Sequence, residues 1–365
     1  MSKLLGSGPY QLTAWKKDRY LSFRRKPHWW ADRLVNPPFV LRARPPQIQF
    51  VIIPDPVTAS LALQRGDLDL YPQMPAPEFD RLRRSPTARA VLNFYQATSY
   101  DIMYAGFNTR RPALADALTR QALGHLFDAA GLLRATQLGQ GQRTVGMIHP
   151  SNRADYNDSL ALLPFAPAKA AALLRQAGWQ QEAGPAGGWQ RRDPKGRPQL
   201  LRLQLRYRTG ESAFEVIALQ FRAAAAQLGI PVILQPTEAA VYTSSLQAGD
   251  FDVYVRVLKG NPFVFNFAPI LHSRAVGAGN LLGFGTPASD RLIEAVAAAD
   301  SPINRARLLR RFQAMMQDEA PLVPLFFMAN RIAANRELTG LHVSGIKPGY
   351  AITAIERMAQ SAPTP

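Results

Sequence analysis

A chain of 365 residues, 47% of them hydrophobic, is too long for one ordinary domain and rich enough in apolar residues for packed cores, which excludes wholesale disorder. The formal charge of +17, from 43 basic against 26 acidic residues, permits attraction to anionic partners. The arginines are dispersed, though, and no nucleic-acid-binding signature accompanies them, so a solvated basic surface is the plainer reading. With no cysteine there are no disulfides, thiolate nucleophiles or cysteine-ligated metals, and no apolar run reaches the roughly 18 residues of a membrane helix.

Gly6-Ser7-Gly8-Pro9-Tyr10 reads as a turn entering a strand, with glycines free to take positive φ and proline fixing the next φ. Residues 10–26 read as two short strands, and 48–54 as a buried strand ended by Pro54. Asp55 is placed to cap a helix running to about Gln64, with Pro56 in its first turn and Gly66 at its end. A short alternating strand follows at 67–70, then a helix at 78–84 and two strands at 90–95 and 100–107. Helical spacing covers 114–133, and the glycine- and proline-rich stretch 139–156 reads as a loop over the surface.

Residues 167–177 form a helix stopped by Gly178, and 182–198 read as a hairpin or loose turn. From there strand and helix alternate: strand 200–206, helix 212–228 ended by Gly229, strand 230–235, helix 239–248, strand 251–257. That order is the pattern of β-α-β crossovers and predicts an α/β fold with parallel sheet. Helices are expected at 289–298 and 303–320 and a strand at 324–328, with weak alternation after Ile332.

Catalytic chemistry finds little footing. His28, His125, His149, His272 and His342 lie far apart and show no metal-ligand spacing. Asp67 and Asp69 form a local acidic pair. Residues 277–285 contain glycines but no Lys-Ser/Thr, so they are not a phosphate loop. Neither a cofactor nor a metal is expected.

Six blocks, in order, resemble one family. They are Gly6–Tyr10 with Trp15, Arg24, Pro27 and Trp30; Ile53-Pro54-Asp55, Thr58, Ala62-Leu63 and Gly66–Asp69; Phe107-Asn108 with Arg120–Leu123; Phe165–Ala170, Leu173-Leu174 and Ala177–Trp179; Gly249–Asp252; and Asn280, Gly283-Phe284, Asp290 and Gln317–Leu325. The chain resembles the family 5 extracellular solute-binding proteins, which serve ABC importers of oligopeptides, dipeptides and nickel complexes. The resemblance implies a two-lobed periplasmic-binding-protein-like fold of class II, not an enzyme, that closes over its solute in a cleft between the lobes. In that family the opening turn lies well inside the first lobe. Lobe one is therefore expected to be incomplete here: 1–106 is part of it, 107–325 is lobe two, and 326–365 returns to lobe one. On this reading the chain is a fragment or one half of a split protein.

Peptide-binding relatives carry a Trp and then an amine-pairing aspartate after the block at 249–252. Here Val257 or Leu258 stands near the Trp slot and Asn261 to Phe263 near the acid slot, and no Asp or Glu occurs between Asp252 and Asp290. Arg256, Lys259, His272 and Arg274 make the stretch basic. A buried ammonium without a carboxylate costs several kcal/mol. Either the ligand is neutral or anionic, held by Asn261, Asn266 and the faces of Phe263 and Phe265, or the acid comes from elsewhere, with Glu211, Glu238 and the family's upstream subdomain as candidates.

Tyr207 and Arg208 follow a strand at the edge where α/β proteins bind ligands, and Arg208 either holds a carboxylate bidentately or is a plain surface arginine. Tyr242 and Tyr254 are either cleft walls or core aromatics. Asn280 and Phe284 match a family position near the rim, and Tyr104 and Asn108 a hinge. The partners implied are a small peptide or other mid-sized solute and the permease and ATPase subunits of an importer. A monomer is expected, with no nucleic acid, in the periplasm or anchored on the outer side of the membrane. Residues 1–9 lack the layout of an export signal, which is then expected upstream. Two other readings stay open: the ligand-sensing module of a transcriptional regulator, and a truncated relic.

Overall fold

No proline, and no glycine before Gly106, interrupts residues 92–107, and the chain runs through them as one strand, Leu92–Phe107. The two strands expected at 90–95 and 100–107 are thus one, preceded by the short helix Pro86–Val91. In the same way the strand expected at 324–328 continues to Asn335, as Leu322–Asn335. These two strands organise the molecule, a computed structural model describing residues 6–182, 187–193, 195–261 and 265–358. The chain forms two compact units, Met1–Thr98 with Ala329–Pro365, and Ser99–Met328. Each long strand starts in one unit and ends in the other.

In the first unit, Tyr10–Lys16, Tyr20–Arg25 and Gln47–Val51 form an antiparallel three-stranded sheet. Neither Gly6 nor Gly8 takes a left-handed backbone. The opening turn is held instead by the indoles of Trp29 and Trp30, which both donate to the Ser7 carbonyl, at 2.9 and 3.1 Å. The strand expected at 48–54 to be buried is the sheet's edge: Phe50, Val51 and Ile52 are all exposed. An apolar run reports composition, and burial needs a partner layer. The helix Pro56–Arg65 follows its caps, with Thr58 N donating to Asp55 Oδ2 at 2.6 Å and Gly66 closing it at φ 82°. Leu63, Met74, Phe79, Leu82 and Leu92 pack this unit's core.

In the second unit the expected crossovers are present. Strands Leu203–Arg208 and Val232–Thr237 pair in parallel around the helix Ser212–Gln227. Val253–Leu258 pairs in parallel with the other side of Leu203–Arg208 and antiparallel with Leu92–Phe107. Side-chain alternation divides the core in two. Met103, Ala105, Leu203, Leu205, Val253 and Val255 face the helix Ser212–Gln227 through Phe214, Ile217 and Phe221. Tyr104 and Tyr254 face the other way, in a cluster with Phe267, Phe284, Phe312 and Met316 from the side that carries helices Pro287–Ala297 and Pro302–Glu319.

Two further expectations are corrected here. The helical stretch 114–133 divides into Ala117–Gly124 and Ala129–Gln137, because Asp128 caps a new start by accepting from Gly131 N at 2.9 Å. The connection at 139–156 is not a surface loop throughout: Gly141–Arg143 pairs with Leu322–Asn335, and Thr144, Val145, Ile148 and His149 are buried.

Candidate functional site

One face of the second unit's sheet carries the site. Period-2 alternation puts Tyr254, Arg256 and Leu258 on the same side of their strand, opposite the core-facing Val253 and Val255. Across the antiparallel pair Tyr254 lies opposite Gly106 and Arg256 opposite Tyr104. On the parallel side Tyr254 lies beside Arg206, and Arg208 follows on the same face two residues on. This face opens into a cavity of about 620 Å³. Tyr104, Tyr242, Tyr254, Arg208, Glu211, Arg256 and Lys259 line it, with Leu246, Leu258 and Leu281 among its apolar walls. It lies at the C-terminal end of the parallel strand Leu203–Arg208, the end at which open α/β sheets bind ligands.

The face is basic, and its charges are unequally matched. Arg206 is buried and reaches Asp250 Oδ2 at 2.6 Å and Thr237 Oγ1 at 3.1 Å. Arg208 pairs with Glu211 one turn on. Lys259 Nζ donates to Asp101 Oδ2 at 3.0 Å, and Gly260 N donates to Asp101 Oδ1 at 3.1 Å. Among the described residues Arg256 has no carboxylate partner, and it is solvent-exposed.

Three phenols complete the wall. Tyr104 and Tyr254 share a hydroxyl–hydroxyl hydrogen bond of 3.0 Å with rings set edge to face at 5.7 Å. Tyr242 donates to the Val255 carbonyl at 2.8 Å. Burial raises the pKa of all three, that of Tyr254 well above the usual value, while the Arg256 charge pulls each downward. All three are neutral at physiological pH. Among the described residues lining the cavity Glu211 is the one carboxylate and there is no histidine. Nor do three or more His, Cys, Asp or Glu among the described residues group as a metal site would need. Neutral hydroxyls, one unmatched cation and apolar walls suit the holding of a molecule.

The structure brings Arg208, Tyr242, Arg256, Lys259 and Tyr104 together around one cavity. It sends the other expected residues elsewhere. Tyr207 points to the opposite face, into the core with Phe214. Phe284 is core. Asn280 is buried and donates to the carbonyls of His272 and Phe284 at 3.0 and 2.6 Å, tying a loop. Phe265 is half-buried with Arg305 over its ring at 5.8 Å, and Asn266 closes a local turn by accepting from Ala268 N at 3.1 Å. Asn261 is exposed, and Phe263 lies outside the described residues. Asn108 is buried and donates to the carbonyls of Gly249 and Phe251, both at 3.1 Å. Of the candidate acids, Glu211 lines the cavity and Glu238 accepts from Thr209 Oγ1 at 3.0 Å.

Sequence reasoning missed Asp101, Arg206 and Asp250, the groups that settle the charge balance. Asp101 leaves a trace in the sequence, a single acid inside the apolar strand run Tyr-Asp-Ile-Met-Tyr-Ala. Its partner, 158 residues away, leaves none.

Comparison with known proteins follows the fold. The family described as bacterial extracellular solute-binding proteins, family 5 Middle, matches residues 1–272. Heme-binding protein A of Haemophilus influenzae is 23% identical over 89% of this chain and 54% of its own length. The nickel-binding periplasmic protein of Escherichia coli is 25% identical over 92% of this chain and 61% of its own. The oligopeptide-binding protein AppA of Bacillus subtilis, solved with a nonapeptide, superposes with a TM-score of 0.77 at 20% identity, covering 97% of this chain and 67% of AppA. At that identity the superposition speaks for the fold alone, and the chain spans little more than half the length of the curated relatives it matches. The match over residues 1–272 makes this chain a member of the bacterial extracellular solute-binding proteins of family 5.

Proposed function

We propose that the chain is the substrate-binding component of an ABC importer for a peptide or similar mid-sized solute. It binds rather than transforms, works as a monomer with permease and ATPase subunits, and operates in the periplasm or anchored on the outer side of the membrane. The lobe bounds read from the sequence, 1–106, 107–325 and 326–365, belong to this reading. The observation that supports it most is the cavity of about 620 Å³, which is of ligand-pocket size and has aromatic and apolar walls with few polar groups. The names of the relatives, binders of heme, nickel and oligopeptides, support the same class of work.

Mass spectrometry of small molecules released on denaturing the purified chain tests the reading, together with capture from a defined mixture of di- to pentapeptides. A retained solute near one per chain is expected. A chain that carries nothing and captures nothing overturns it.

A further inference from the structure

We propose that Arg256 anchors a carboxylate subsite, so that the solute this chain takes is an anion carrying a carboxylate that docks beside the hydrogen-bonded phenols of Tyr104 and Tyr254. The inference rests on the solute-binding reading and narrows it to one ligand class. It comes from the distribution of charge on a single sheet face. Four cations stand on or at the end of that face, and three are already matched: Arg206 by Asp250, Arg208 by Glu211 and Lys259 by Asp101. Arg256 is the remaining charge among the described residues, and it lines the cavity.

Its neighbours suit an anion. Tyr104 is its cross-strand partner, and the arginine is near enough for its charge to act on the Tyr104, Tyr242 and Tyr254 phenols. A planar guanidinium offers a carboxylate two parallel hydrogen bonds. Because Tyr104 and Tyr254 donate to each other only one way at a time, one of those two hydroxyls keeps a proton to give. An ammonium-bearing solute meets the opposite field, because Glu211, the lining's carboxylate among the described residues, is held by Arg208. The sequence offers Arg256 as a ligand-binding candidate within a basic stretch, and strand alternation places it where a ligand would sit.

The test uses the full chain, the variants Arg256→Gln and Glu211→Gln, and four probes at constant ionic strength: potassium chloride, citrate, N-acetyl-trialanine as the free acid, and N-acetyl-trialanine amide. Thermal unfolding midpoints at rising probe concentration give apparent affinities. The proposal expects citrate and the free acid to raise the midpoint above chloride and amide. Arg256→Gln should weaken that effect about 10- to 100-fold. Glu211→Gln, which frees Arg208, should strengthen it. A general loss of fold would not move the two variants in opposite directions. The subsite is overturned if acid and amide act alike, if no carboxylate shifts the wild type, or if Arg256→Gln responds as the wild type does. Peptide capture by the wild type with acid and amide alike sinks the subsite and leaves the importer reading. A carboxylate response lost in Arg256→Gln, with no solute ever retained, does the reverse.

Discussion

Asp101 holds Lys259 at 3.0 Å and the backbone N–H of the next residue at 3.1 Å, from inside a buried strand. Its side chain is 8% exposed and that of Lys259 67%, so the two ends of the contact differ in value. Removing the buried acceptor strands a backbone donor, whereas removing the exposed ammonium mostly loses a screened ion pair. Asp101→Ala is expected to lower stability by about 1–3 kcal/mol and Lys259→Ala by less than about 1 kcal/mol. Asp101→Asn, which keeps an oxygen for Gly260 N, should fall between them. Urea unfolding midpoints at a common m-value measure the order, and equal effects of Asp101→Ala and Lys259→Ala contradict it.

Gly106 offers a way to perturb the cavity wall from behind. A Cβ on Gly106 would lie 2.6 Å from the Tyr254 ring and 2.6 Å from Leu282 Cδ2. Both neighbours are buried and cannot withdraw without cost. Gly106→Ala should cost about 1–3 kcal/mol of stability and also displace the Tyr254 phenol that lines the site. Captured solute should then dissociate faster than from the wild type. A variant as stable and as retentive as the wild type would contradict the packing described.

The third expectation concerns Arg120, part of the motif Arg120–Leu123. Its side chain is 3% exposed and donates to the carbonyls of Leu114, Ala115 and Glu319, at 2.8, 2.8 and 2.6–3.0 Å. Burial works against the guanidinium's charge, and Glu319 supports it. Arg120→Met leaves those carbonyls without their donor, at an expected cost of about 3–5 kcal/mol, with Arg120→Lys recovering only part. Chemical denaturation of both variants checks the ranking.

His149 sets a pH dependence. It is buried between Tyr100 and Phe327, accepts from Ser151 N at 3.0 Å, and burial lowers its pKa from 6.5 to about 4. A folded state that resists protonation binds fewer protons than the unfolded chain between those values. The contribution of His149 to stability is therefore complete above about pH 6.5 and is lost as pH falls toward 4. His149→Asn, with an oxygen in place of Nδ1 and no titration, should be less stable at pH 7 but flatter between pH 7 and 5. Melting curves across that range decide it, and parallel slopes for the two proteins would refute it.

How much of this was legible depended on whether the signal was local. The crossovers around 203–258 could be read because each helix carries its own stop, Gly229 at φ 75° and Gly249 at φ 72°, and each strand its own alternation. The division at Asp128 was missed because a cap shows only when its donor, Gly131 N, is seen. The exposed edge at Phe50 and Val51 was misread because residue type does not name the neighbouring layer. At the site, Arg208, Tyr242, Arg256 and Lys259 were found from their positions near strand ends and in a basic stretch. What separates Arg256 from the other three cations is pairing across the fold, through Asp250, Glu211 and Asp101, and only the Glu211 contact is short-range.

The two long strands also impose an order on biosynthesis. Tyr71 pairs with Ala333 and Leu70 with Ala334, so the sheet partner of the early segment is made only after the whole of Ser99–Met328 has been synthesised. At about 5–20 residues per second the ribosome holds that early segment waiting while a contiguous unit completes behind it. Ser99–Met328 is contiguous in the chain, whereas the first unit must join segments on either side of it, across a long and entropically costly loop. The exposed apolar edge of Gln47–Val51 is thus made early in a segment that must remain soluble through the delay, the interval in which a nascent-chain chaperone would have most to protect.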